Sequence, residues 1–142
     1  MSARLLIGLT LAALLALPTV ALGATKNGIT PTSPKAGKTI PVGQRPTLKG
    51  RVSGPGTMFL HVCKNKRKGK DGIICPNATQ AETIKRVKRK GGRWSVKPDF
   101  FDFPEFWLQA PGTYYWQVFR ISCTGGSSDC SKEGPIVKIK VG

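Results

Sequence analysis

Acidic side chains are scarce in this chain of 142 residues: seven Asp and Glu stand against 23 Lys and Arg, a formal net charge of +16. Histidine is almost missing. The only one, His61, sits between Leu60 and Val62, with no Ser or Cys in a recognisable nucleophile motif, so a surface or interstrand histidine is expected rather than a catalytic base. No Cys-x-x-Cys occurs, and the spacing of the cysteines fits no zinc finger. After the first 23 residues there is no helix-period segment, no internal repeat and no second long apolar run. The acids that do recur, Asp99, Asp102 and Glu105, lie among Phe100, Phe101, Phe103 and Phe106 and lack the ordered ligand spacing of an EF-hand. They read as the wet side of a packed loop. An enzyme is therefore not expected, nor is a cofactor or a metal.

Residues 1–23 have the three parts of a secretory leader. Arg4 gives a basic start, Leu5 to Leu17 an apolar run, and Ala21-Leu22-Gly23 a small-x-small cleavage site. The run is short for a membrane span and is interrupted by Gly8, Thr10 and Pro18. Cleavage after Gly23 leaves 119 residues, the size of one domain, with 22 Lys and Arg against 7 acids, or +15. A secreted, extracellular or cell-envelope-associated monomer is expected, with no transmembrane segment once the leader is gone.

The rest of the chain is marked by period-2 alternation. In the stretch from Pro104 to Cys123, Pro111-Gly112 turns the chain, and Tyr114, Trp116 and Val118 then alternate with Tyr115, Gln117 and Phe119. Leu48, Gly50 and Val52 share one face against Lys49 and Arg51. Met58, Leu60 and Val62 share another, as do Trp94 and Val96 beyond the Gly91-Gly92 hairpin signal. Val137, Ile139 and Val141 alternate with Lys138 and Lys140. Glu82 to Lys90 has apolar residues only at Ile84 and Val87 and reads as a lysine-rich edge strand. The segment from Ala24 to Lys38 is too rich in Pro, Gly and Thr for a central strand, so 24–37 is expected to be a flexible tail or an irregular first strand, and 38–142 the folded domain.

About seven short strands with Pro/Gly turns resemble an immunoglobulin-like sandwich. The run Leu108-Gln-Ala-Pro-Gly-Thr-Tyr-Tyr-Trp-Gln-Val118 is similar to the corner that leads into the sixth strand of fibronectin type III and related bacterial Ig-like modules. The resemblance implies a seven-stranded antiparallel β-sandwich with a structural corner at Leu108, Pro111, Gly112, Tyr114 and Trp116. Tyr114 is chosen over Tyr115 as the corner tyrosine because Trp116 and Val118 share its face. If the strands run as in that family, Cys63 and Cys123 end antiparallel strands at opposite poles. The implied pairs are then local, Cys63 with Cys75 and Cys123 with Cys130, each contributing roughly 2.5–3 kcal/mol by loop entropy.

Two basic clusters are the positive functional signal. One is Lys64, Lys66, Arg67, Lys68 and Lys70; the other is Lys85, Arg86, Lys88, Arg89, Lys90 and Arg93. Both suit anionic polymers or acidic protein surfaces through Coulomb attraction and counterion release. Aromatics are not interleaved with them, which argues against a specific nucleic-acid site. The expected function is a non-enzymatic binding or adhesion module for polyanionic cell-surface or extracellular polymers. The alternative is a cationic effector or inhibitor acting on anionic membranes or a protein partner.

Overall fold

The computed structural model describes residues 23–64, 66–74, 85–97, 110–123 and 130–142. The expected leader, residues 1–23, lies outside them except for Gly23. Among the described residues there is no helix. These residues form eight strands: β1 Ile29–Ser33, β2 Thr39–Ile40, β3 Leu48–Val52, β4 Thr57–Cys63, β5 Lys85–Lys90, β6 Arg93–Val96, β7 Gly112–Ile121 and β8 Ser131–Val141. They make one curled mixed sheet in the order β1-β3-β6-β5-β4-β7-β8-β2. All pairings are antiparallel except that of β2 with β8. The expectation of seven antiparallel strands is thus corrected to eight, because residues 39–40 pair in parallel with the end of β8.

Alternation puts the apolar set inside. Leu48, Met58, Leu60, Trp94, Tyr114, Trp116, Val118 and Ile139 belong to one buried cluster, which Ile29 of β1 joins at 0 % exposure. Trp94 and Trp116 meet edge to face, 6.1 Å between centroids, and tie the β6 side of the curl to the β7 side. Gly50, opposite Trp94 in the β3–β6 register, leaves room for the indole, since a Cβ there would collide with the ring. The indole Nε1–H donates to the Arg51 carbonyl at 3.0 Å.

Two strands depart from the pattern read in the sequence. β8 begins at Ser131, not Pro135, and its register with β7 shifts between Gln117 and Phe119. Gly134 and Pro135 fall in this bulge, a place where a sheet tolerates proline. A Cβ at Gly134 would lie 2.6 Å from the Val118 carbonyl and 2.9 Å from Ile29 Cγ2, so the curl closes tightly here. β5 is not an edge strand. Its first half pairs with β4 and its second half with β6, so its lysines flank a crossing from one part of the curl to the other.

The Tyr114 hydroxyl donates to the Ala110 carbonyl at 2.9 Å, while Tyr115 packs outside against Cys63 and Ile74. Leu108 lies outside the described residues. Cys123 and Cys130 are disulfide-bonded across the β7–β8 connection. Cys63 is also oxidised, and Cys75 of the expected pair lies outside the described residues.

A candidate polyanion-binding face

The outward residues of β3 are Lys49 and Arg51, and those of β6 are Arg93 and Ser95, as alternation requires once Leu48, Trp94 and Val96 turn inward. Register then sets their neighbours. Arg51 lies directly opposite Arg93, and Arg93 opposite Lys90 of β5; Lys49 lies opposite Ser95, and Ser95 opposite Lys88. On the other flank Thr30 of β1 is opposite Arg51, and Ser33 opposite Lys49. Two parallel rows result, Thr30–Arg51–Arg93–Lys90 and Ser33–Lys49–Ser95–Lys88. Opposed Cβ atoms on antiparallel strands are about 4.5–5.5 Å apart. Two residues along a strand separate the rows by about 6.7 Å.

All five cations of these rows are exposed, and among the described residues none of their side chains has an ion pair or a hydrogen bond. Three like charges in one cross-strand row cost stability. The same face lines a groove that also takes in Lys35, Pro135 and Val137.

The structure divides the basic residues expected from the sequence. Lys88, Lys90 and Arg93 are brought together with Lys49 and Arg51, which the clusters omitted. The signal for those two was their place on the polar side of residues 45–52, but their neighbours were not readable. Arg89 points the other way from Lys88 and Lys90, and its guanidinium donates to the carbonyls of Gly54 at 2.8 Å and Gly91 at 3.4 Å. It therefore pins the hairpin. Arg86 is exposed opposite Phe59, on the β4 side. Only the backbone of Lys85 is described, where it pairs with Leu60.

The loop cluster lies elsewhere. Lys64, Lys66, Arg67, Lys68 and Lys70 are exposed, but the loop that carries them does not simply project from the end of β4. Its return limb roofs the outer face of β4 and β7. The Ile74 side chain is fully buried, and its N–H donates to Gln117 Oε1 at 2.9 Å. Gln117 Nε2 donates in turn to the Gly134 carbonyl at 2.8 Å. His61 Nδ1–H donates to the Ile74 carbonyl at 2.8 Å, and the ring stands edge-on to Phe119. Burial lowers the His61 pKa, against opposing effects of that hydrogen bond and of the Asp71 charge, so the imidazole is held neutral. It supports the roof and faces no nucleophile among the described residues.

Glu133 is held by Lys26 at 2.7 Å and accepts a hydrogen bond from Asn27 Nδ2 at 3.2 Å. Burial works to raise its pKa, but the hydrogen bonds and the Lys26 and Lys68 charges outweigh it, and the carboxyl is held below its ordinary range. Among the described residues no group of three His, Cys, Asp or Glu is placed to hold a metal ion. Asp99, Asp102 and Glu105 lie outside them. The chain matches no protein-family model, no curated protein and no solved structure.

Proposed function

We propose that the chain is an exported, non-enzymatic binding module that holds anionic cell-surface or extracellular polymers on the outer face of β3, β6 and β5. The observation that carries this reading is the Arg51–Arg93–Lys90 row, in which cations are set side by side on strands and no described carboxylate answers them. A string of tetrahedral or carboxylate anions would relieve that repulsion by neutralising neighbouring charges together. Because the side chains project from paired strands over a Trp-filled core, little backbone freedom is lost on binding. Among the described residues no aromatic ring lies outward in these rows, so the attraction is to a charged backbone and not to stacked bases.

The frame we propose is immunoglobulin-like, of the fibronectin type III kind. Two features support it. β3, β6, β5 and β4 follow a Greek-key order, and Tyr114 bonds back to the backbone four residues upstream.

Binding of a heparin octasaccharide to the chain beginning at Ala24, titrated against salt, tests the function. With five contacts the logarithm of affinity should fall with the logarithm of salt at a slope between about −3.5 and −4.5. The double variant Arg51→Ser, Arg93→Ser should lower the slope magnitude by roughly 1.4–1.8. Equal affinity of the variant, or leakage of anionic phospholipid vesicles by the unaltered chain at low salt, would sink the proposal, the second in favour of a membrane-active effector.

A further inference from the structure

The chain just ahead of β1 turns back onto it. Asn27 and Gly28 have φ of 50° and 75°, the two positive values of a type I′ hairpin turn, and Asn-Gly is the dipeptide that prefers it. Lys26 and Ile29 exchange hydrogen bonds on either side, at 3.1 and 2.9 Å. Continuing that register sets Thr25 beside Thr30, and their hydroxyls are indeed hydrogen-bonded at 2.7 Å. Gly23 then lies against the Pro31 carbonyl. Thr30 is the residue opposite Arg51. Residues 23–26 therefore run as a further strand-like segment on the flank of the cationic rows, and Gly23 and Ala24 line the same groove as Arg51 and Arg93.

We infer that cleavage after Gly23 completes the binding face, by freeing the α-ammonium group of Ala24 at the β1 end of the row Thr30–Arg51–Arg93–Lys90. The inference rests on the polyanion reading above and on the leader read from the sequence. Two strand spacings place Thr25, one residue from the new amine, about 10 Å from Arg51, a distance equal to the Debye length of about 10 Å at 0.1 M salt. In the uncleaved chain the same nitrogen is a neutral amide. Processing thus adds a cation at a place where the fold has already aligned others, and the hairpin pins it there.

The added charge differs from the rest in one measurable way. An α-amino group titrates at about 7.7–8.0, whereas lysine and arginine do so above about 10. The charged residues lining the groove are Lys35 from the β1–β2 connection, Lys49 and Arg51 from β3, Lys88, Arg89 and Lys90 from β5 and Arg93 from β6, Arg89 with its guanidinium committed to the Gly54 and Gly91 carbonyls. Glu133 of β8 is held by Lys26, and neutral His61 lies on the other outer face. An α-amino group changes its charge between pH 6.5 and 9, so binding should weaken over that range as the amine deprotonates.

The test compares the chain beginning at Ala24 with the same chain N-acetylated, using the heparin octasaccharide. The free form should bind about 3–5-fold tighter at pH 6.5 with a salt slope steeper by about 0.7–0.9, and should lose that advantage by pH 9. The acetylated form should show no such pH dependence. A second variant, Asn27→Ala with Gly28→Ala, keeps the free amine but unpins it, and should bind with a shallower pH response. If free and acetylated chains bind tightly with the same slope and the same pH profile, the inference is overturned and the face stands. If neither binds, both readings fall.

Discussion

The two outer surfaces of the curled sheet contrast. On β3, β6 and β5 the outward positions are Lys49, Arg51, Arg93, Lys88 and Lys90, and they stand bare. On β4 and β7 the outward positions are Phe59, His61, Tyr115, Gln117 and Phe119, and the return limb of the basic loop settles over His61 and Gln117. Both follow the same alternation. The difference shows that the character of the outward residue announces whether a strand will be covered: long cations resist desolvation, whereas a half-apolar face with a donor and an acceptor invites a roof.

The largest effect should come from removing the roof's buried anchor. Gln117→Leu would leave the Ile74 N–H and the Gly134 carbonyl without their partner, costing roughly 2–5 kcal/mol in urea unfolding. A loss below about 1 kcal/mol would mean that the contacts of Ile74 hold the limb without Gln117. Acid should act on the same surface more gently. The folded pKa of His61 lies below its ordinary 6.5, so below that pH the unfolded chain takes up a proton that the folded chain refuses. Stability is full above pH 6.5 and falls as the pH drops towards the folded value. Urea midpoints at pH 7.5 and 5.5 should separate for the natural chain and separate less for His61→Gln. The smallest effect on stability belongs to the bare surface. Arg51→Ser with Arg93→Ser should leave the chain as stable or more stable, by about 0.2–1 kcal/mol, while affinity for the octasaccharide falls. A clear destabilisation would mean that the row is structural and would erase the contrast.

Much of this was legible in the residues. Inward sets such as Trp94 and Val96, or Tyr114, Trp116 and Val118, could be named from period-2 alternation. The Asn27-Gly28 turn was equally present as a dipeptide signal, but it lies in a segment whose prolines and glycines argue against strand pairing. Less accessible was β5, where charge spacing suggested an edge and the chain instead divides its hydrogen bonds between two neighbours. Arg89 looked like its fellow cations, yet its direction commits it to Gly54 and Gly91.

The sequence by itself determined that the chain is β-rich and basic, and which side of most strands faces the core, because those properties depend on composition and on a local two-residue repeat. Only the tertiary structure decided that Lys49 and Arg51 stand beside Arg93, that Lys88 and Lys90 extend their rows, and that the other basic loop turns away to cover His61. The first of these is the outcome of pairing between segments about 40 residues apart. Register is chosen by the joint burial of both partners, and neither strand encodes it alone.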